Sequence, residues 1–533
     1  MLCVLMLFAS AALAVSEPGG LPIVEDPVTL TIGMVPSATV SDYEDNYNTR
    51  LLEDTTGIKL EFMFFESQEA TQKFELMVAA GEKLPDIIAV PYLDRHYYGS
   101  EGIFIPLNAY ADEMYYWHET MNEYASDLER QQVEQLLYSP DGNIYGIPFF
   151  TYEMGNHLQN GFYINQTWLD TLDLDAPTNL DELANVLRAF RDGDPNGNQL
   201  PDEIPMIGYN SFRNRGDVVG NLINSFMYYP YTDDARVILQ SGHCVSAYTQ
   251  DQYREALRYC KMLYDEGLIS GLTFTQDPEQ LRAIIDRPSS EPTVAGIIAT
   301  HPRSGICGFS STEENNKVLE YVALNLLEGP EGVAYAALEH PYMQYVSITR
   351  DCENPLVAIK LLDAMCKAEI TVSARFGEYG VDWTWADADA LSNYGKPAAI
   401  LTQDLIMSSP SQNRMWVKNE FHLLPSGLCV AKINLDNPIY QWLSEMFYGG
   451  ASNRIGKQPE ELFPNPVYTS EEQEIIIAIG PTIWEYSNEC RLQFVTGAMS
   501  LENDWDAYLS TLATMGLQDY LSAAQSCYDR MTQ

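Results

Sequence analysis

The chain has 533 residues, 75 of them acidic and 30 basic, for a formal charge of −45. That balance excludes nucleic acid and anionic membranes as partners, because both are held through basic patches. With 46% apolar and 20% charged residues, the chain is sized for two to four folded units and is not a disordered polymer.

Residues 1–14, MLCVLMLFASAALA, form an uncharged apolar run ending in Ala12-Leu13-Ala14. This is the pattern of an export signal with a small-residue cleavage site, too short to span a bilayer. No cysteine follows Cys3 until Cys244, so a lipid-bearing cysteine at the cleavage site is not expected. The chain is expected outside the cytoplasm, extracellular or in the cell envelope. Its eight later cysteines show no C-x-x-C pair and read either as small buried hydrophobes or as disulfide partners.

Val28–Val35 alternates and then runs apolar, as a strand does, and Ile58–Phe65 reads as a second strand. Phe74, Met77 and Val78 share one helical face, which Gly81 can terminate in the left-handed conformation. Asp86–Val90, a short run without polar alternation, suits a strand covered on both faces. Strand, helix, strand, helix and strand in so short a stretch predict a βαβαβ unit with a mostly parallel sheet. Asn179 with Glu182 predicts a helix start, and Leu183, Val186, Leu187 and Phe190 form its apolar face. Val294–Thr300 and Tyr345–Thr349 read as further strands. At the C-terminus Trp505, Tyr508, Leu509 and Leu512 form one helical face, Gly516 breaks it, and Leu517, Leu521, Ala524 and Tyr528 form a second. Trp505 and Tyr508 are expected to be packing residues.

Catalytic motifs are scarce. There is no G-x-S-x-G elbow, no G-x-G-x-x-G after a strand, and no histidine pair at zinc-ligand spacing. One motif is sharp. In RDGDPNGNQLPDEIPM (191–206), oxygen-bearing side chains recur at Asp194, Asn196, Asn198, Asp202 and Glu203, and the Leu200 carbonyl falls in step. Such alternation suits Ca²⁺, which takes six to eight oxygen ligands. A second frame, beginning at Asp192 and using Asp194, Asn196, Gly197 and Glu203, satisfies an EF-hand loop pattern. A structural calcium ion is expected, since the loop has a flanking helix on one side only.

Several stretches together resemble the extracellular solute-binding proteins, family 1, of bacterial ABC importers, in particular the long LplA-like and alginate-oligosaccharide-binding branch. They are Gly81–Ile88 (GEKLPDII), Pro106–Tyr110 (PLNAY), Asp141–Pro148 (DGNIYGIP), Trp168–Leu172, Pro177–Leu183 and the DPNGN…DEIP loop. Phe494–Gly497, Trp505–Tyr508 and Tyr528–Arg530 complete the set. The resemblance implies an α/β, two-lobed periplasmic-binding-protein-like fold of type II, with mostly parallel sheets, helices on their faces, and hinge strands letting the lobes close on a ligand. It places lobe 1 in 27–155 and 322–372 and lobe 2 in 156–321 and 373–533. It also implies calcium in the loop, held by Asp194, Asn196, Asn198, Leu200, Asp202 and Glu203, which favours the first frame. Asn165-Gln-Thr stands where many relatives carry Arg-Lys-Asp, so a basic ligand contact there is not carried over.

The implied function is capture of a solute, an oligosaccharide in the first place, and its delivery to the permease subunits of an importer by a monomeric, non-enzymatic protein. Sugars are held by aromatic faces and polar side chains. The expected ligand residues are Tyr92, Tyr152, Arg303, Tyr379, Trp383 and Trp385. The competing expectation is a secreted, calcium-stabilised carbohydrate-active enzyme.

Overall fold

The computed structural model describes residues 14–532 apart from 38, 67–68, 92, 153–160, 211–215, 232, 286, 288–289, 301–315, 338–342, 393–396, 403–411, 417–420, 429–430, 434–441, 443–452 and 455. In chain order its strands are β1 (Val28–Met34), β2 (Ile58–Phe64), β3 (Ile87–Ala89), β4 (Ile147–Thr151), β5 (Phe162–Asn165), β6 (Ile204–Ile207), β7 (Val237–Gln240), β8 (His243–Ser246), β9 (Ala295–Ala299), β10 (Tyr321–Ala323), β11 (Met343–Ile348), β12 (Trp383–Trp385), β13 (Ile400–Thr402), β14 (Leu423–Leu424) and β15 (Ala431–Ile433). The chain divides into two compact units. The first comprises Met1–Tyr152, Tyr342–Ala390 and Pro397–Lys432, and the second Glu153–Pro341, Leu391–Lys396 and Ile433–Gln533.

In the first unit, the predicted βαβαβ segment is present: β1 runs parallel to β2 and to β3, with helices Tyr47–Thr56 and Ala70–Ala80 between them. Phe74 and Met77 are buried, and Gly81 ends the second helix at φ 68°, in the left-handed region. The sheet continues beyond this segment in the order β14-β4-β11-β3-β1-β2. There β11 is antiparallel to both β3 and β4, while β14 is parallel to β4. Its core gathers Leu30, Ile32, Ile87, Phe149, Phe150, Val346 and Ile348 with the helix Pro355–Met365.

In the second unit the sheet order is β10-β5-β9-β6, with β5 antiparallel to both neighbours and β6 parallel to β9. Most strands of each sheet therefore run in one direction, as expected, and a single strand runs against them, β11 in the first sheet and β5 in the second. These reversed strands meet partners far away in the sequence, β11 on β3 and β4 and β5 on β9 and β10, so local strand–helix alternation does not reveal them. Helices Leu180–Asp192, Asp251–Asp265, Ser470–Thr496, Trp505–Thr514 and Leu517–Thr532 cover this core. Leu183, Leu187 and Phe190 are fully buried, and Trp505, Tyr508 and Leu512 pack inside as the periodicity predicts.

The unit boundaries differ from the expected ones. Residues 322–337 stay with the second unit, because β10 pairs with β5 and Asn179 bridges to Glu328. Residues 373–390 stay with the first. There Thr371 Oγ1 donates to the Leu423 carbonyl at 3.2 Å, and Trp383 packs with Val372, Ile400, Leu424 and Leu428. Among the described residues Cys244, Cys260, Cys352, Cys366, Cys490 and Cys527 are buried free thiols, which favours small hydrophobes over disulfide partners. No helix among these residues is long and apolar enough to cross a membrane.

Candidate functional site

In open α/β sheets, ligands lie beyond the carboxyl ends of the strands. In the second unit the chain leaves β6 through Gly208-Tyr209-Asn210, and this exit is strapped on both sides. Tyr209 N donates to Gly216 O at 3.0 Å, Asn210 N to Gln276 O at 3.0 Å, and Gly208 N to Thr273 Oγ1 at 3.2 Å. The close fit requires glycine twice. A Cβ on Gly208 would sit 2.1 Å from the Gly216 carbonyl oxygen, and one on Gly216 would lie 2.3 Å from the Tyr209 ring.

Facing this exit is the helix Ser470–Thr496. Thr469 and Glu472 start it as a reciprocal capping box. Ile483, Ser487, Cys490 and Phe494 turn inward, which leaves Trp484 and Asn488 on the adjoining stripe one helical turn apart. Between the two walls lies a cavity of about 330 Å³, lined by Tyr209, Asn210, Phe274, Trp484, Asn488 and Glu489. Asp217 and Arg491 also border it, paired at 2.5 Å and largely buried. Burial pulls the Arg491 pKa down, but Asp217 and the surrounding tyrosines outweigh it and hold the guanidinium well above its usual value. Asp217 also accepts from Gly220 N at 3.0 Å, so both partners are fixed. Three rings of graded burial beside two amides and a carboxylate can pack on the C–H faces of a sugar and bond its hydroxyls. None of these residues was expected from sequence. Trp484 reads there as one more apolar residue in a helical stretch.

In the first unit, the segment Phe376–Trp385 carries three of the expected ligand residues. Trp383 is fully buried, and its indole N–H donates to Gly377 O at 3.0 Å. Tyr379 and Trp385 meet it at ring-centroid distances of 5.0 and 5.1 Å and remain 45% and 38% exposed. Trp383 is thus a support and the two exposed rings are the surface available to a ligand. Asp382 braces the loop, accepting from Glu378 N at 2.7 Å and pairing with Arg414 at 2.8 Å. Nearby, burial first and then Glu378 and Glu369 raise the Tyr47 hydroxyl above its ordinary pKa. Tyr152 lies just past β4, half-buried against the core, with its N–H on Leu424 O at 2.8 Å. Tyr92 and Arg303 lie outside the described residues.

The acidic loop of the second unit closes on itself. Asp194, Gly197 and Gln199 adopt positive φ. Asn196 and Asn198 each donate an amide N–H to Asp202 Oδ1 at 3.0 Å. The Asp194 carboxylate accepts from Gln199 N at 3.2 Å. Glu203 Oε1 is buried without a hydrogen-bond partner, and its pKa is raised by burial and then by Asp202 and Asp194. A buried carboxylate oxygen without a partner is an acceptor left open for a cation, and rotation of either asparagine amide would present its oxygen as well. Asp192, the first ligand of the alternative frame, is 63% exposed and engaged by Arg191. Among the described residues, no group of three or more His, Cys, Asp or Glu side chains is gathered as a metal site.

Comparison with known proteins agrees with this architecture. Residues 41–284 match the family model "Bacterial extracellular solute-binding protein". The fructooligosaccharide ABC transporter substrate-binding protein FusA of Streptococcus pneumoniae is 25% identical, over 93% of this chain and 89% of its own. An HMO-binding, ABC-transporter-associated solute-binding protein from Bifidobacterium longum infantis superposes with a TM-score of 0.77 at 19% identity, over 94% of this chain and 99% of that one. A FusA EF-hand mutant in complex with fructo-nystose superposes with a TM-score of 0.66 at 21% identity, over 95% and 99%. In its fold, and over residues 41–284 in its sequence, the chain is similar to the bacterial extracellular solute-binding proteins.

Proposed function

We propose that this chain is the substrate-binding component of an ABC importer, capturing an oligosaccharide outside the cytoplasm and presenting it to the permease. The observation that carries the reading is the cavity beyond β6, where Trp484, Phe274 and Tyr209 stand beside Asn210 and Asn488. Its size and mixed lining match small-ligand sites, with rings for area and amides for orientation. The exposed rings of Tyr379 and Trp385 offer a second sugar-packing surface in the other unit. FusA, similar over most of both chains, carries fructooligosaccharide in its name, which supports this substrate class.

The acidic loop takes a structural calcium ion in this reading, through Asp194, Asn196, Asn198, the Leu200 carbonyl, Asp202 and Glu203. The buried, unpartnered Glu203 oxygen supports it, as does the EF-hand named for the FusA relative. Calcium there would neutralise three carboxylates and clamp the excursion between the helix Leu180–Asp192 and β6.

Two measurements test the reading. Titration calorimetry with fructo-, malto- and manno-oligosaccharides should give one-to-one binding, with the glycan recovered intact. Trp484→Ala should weaken that binding by roughly 10- to 100-fold, the range for losing a stacked ring. Full-strength binding by the variant, or cleavage of the glycan, would refute the assignment. For the loop, chelation should lower the melting temperature and release about one calcium per chain. If neither changes, the loop holds no metal.

A further inference from the structure

The two walls of the cavity beyond β6 are fastened to each other through a buried ion pair. Resting on the oligosaccharide reading above, we propose that Asp217 and Arg491 are positioning residues: their pair sets the gap between the Trp484 ring and the Tyr209 strap, and with it the strength of glycan binding.

The helix Ser470–Thr496 needs an anchor near the cavity. Glu472 ties its first turn to Ser526 and Arg530, but Gly480 and Pro481 lie between that turn and Trp484. Pro481 has no N–H to give to the carbonyl four residues before it, so the helical ladder is interrupted there. Gly480 lies close against Asp234, where a Cβ would meet Oδ2 at 2.6 Å. Beyond this break Ile483, Cys490 and Phe494 hold the second half on the core, and apolar contact of that kind is non-directional. Direction comes from Arg491, whose Nη1 donates to Asp217 Oδ2 at 2.5 Å. Trp484, Asn488 and Arg491 stand at i, i+4 and i+7, on one stripe of the helix. Asn488 Nδ2 also donates to Trp484 O at 2.9 Å, so ring, amide and guanidinium move together.

The receiving end is equally fixed. Asp217 Oδ1 accepts from Gly220 N at 3.0 Å and Asp217 O from Asn221 Nδ2 at 2.8 Å, which caps the helix Val218–Ile223. Its chain neighbour Gly216 holds Tyr209 N through its carbonyl at 3.0 Å. A shift of Arg491 against Asp217 is therefore a shift of Trp484 against Tyr209. The two side chains are only 15% and 10% exposed, so water does little to loosen the pair.

Calorimetry on the full chain tests this as a double-mutant cycle, using whichever of the fructo-, malto- and manno-oligosaccharides the wild type binds most tightly. Asp217→Asn/Arg491→Met removes both charges together, an exchange that buried pairs tolerate. Asp217→Asn alone, whose amide oxygen can still cap Gly220 N, is the second arm, and the denaturation midpoint of each shows that it folds. A gap of about 1 Å forfeits about half of the attraction across it. A ring worth roughly 10- to 100-fold in affinity then becomes a loss of about 3- to 10-fold in either arm. In a Trp484→Ala background the same changes should cost nothing further, a pattern that a general loss of stability does not produce. Wild-type affinity in the folded variants overturns the proposal. Losses that multiply with that of Trp484→Ala overturn it too, since the pair would then act on the glycan without the ring. Absence of glycan binding by the wild type overturns the oligosaccharide reading and the proposal with it.

Discussion

Glu472 offers a quantitative handle on how the wall of the cavity is anchored. It sits in the first turn of the helix that carries Trp484 and answers three groups at once. Its carboxylate accepts from Thr469 N at 2.9 Å, Ser526 Oγ at 2.7 Å, and Arg530 at 2.7 and 2.8 Å. Burial alone would raise its pKa, but Arg530 and the other donors outweigh burial and bring it to about 2, against 4.5 for an unperturbed glutamate. A folded-state pKa below the unfolded one means stability that is present above 4.5 and is lost as pH falls toward 2. The shift is worth about 3 kcal/mol at pH 7. With Arg530 35% exposed, solvent screening trims this to about 2 kcal/mol. By the same linkage the contribution falls to about 1 kcal/mol at pH 3. Glu472→Gln keeps the shape and removes the charge. Urea denaturation of both proteins at pH 7, 5, 4 and 3 should show the variant about 2 kcal/mol weaker at pH 7 and the gap roughly halved at pH 3. A gap that stays constant over that range would refute the electrostatic account and reduce Glu472 to a neutral cap.

Three further outcomes follow from the packing. Trp383→Ala should destabilise the fold by about 3–5 kcal/mol, since it empties a fully buried site; Trp385→Ala should lose glycan affinity with a far smaller change in denaturation midpoint. Gly208→Ala drives a methyl group against the Gly216 carbonyl and should cost about 1–3 kcal/mol, together with glycan affinity, because the Tyr209 exit shifts. Asp363, raised by burial to about 6 while accepting from Tyr116 N and Trp117 N, works opposite to Glu472. Its pKa lies above the unfolded value, so its contribution is present below about 4 and is lost as pH rises through 6. Asp363→Asn should therefore gain on wild type by about 2 kcal/mol between pH 4 and 7 in the same urea series.

Local patterns in the sequence were enough to find elements whose partners lie close by. Phe74, Met77 and Gly81 mark a helix and its end without reference to anything distant, and β1, β2 and β3 follow as its parallel neighbours. The Leu183–Phe190 face and the Trp505–Leu512 face were legible for the same reason. Strand β14, two residues long, was not, because its identity rests only on pairing with β4. The boundary at 321–322 failed likewise, since the pairing of β10 with β5 spans more than 150 positions and leaves no periodic trace. Trp484 illustrates the loss for function. On its helix it stands beside the buried Ile483, and only the Tyr209 strap opposite turns it into one wall of a cavity. Trp383 is the converse: the aromatic cluster was visible, but which ring bears load and which faces outward depends on Ile400, Leu424 and Leu428.

The strand order of the first unit has a consequence for how the protein is made. Between β3 and β4, which leave the ribosome early, the position in the sheet belongs to β11, residues 343–348. Until those residues are synthesised, β3 and β4 lack the neighbour that joins them, and β4 gains its outer partner only at Leu423. No amino-terminal fragment shorter than about four-fifths of the chain can complete this sheet. Until then the first unit's sheet stays divided between β1-β2-β3 and β4, whereas the four strands of the second unit's sheet have all been made by Ala323.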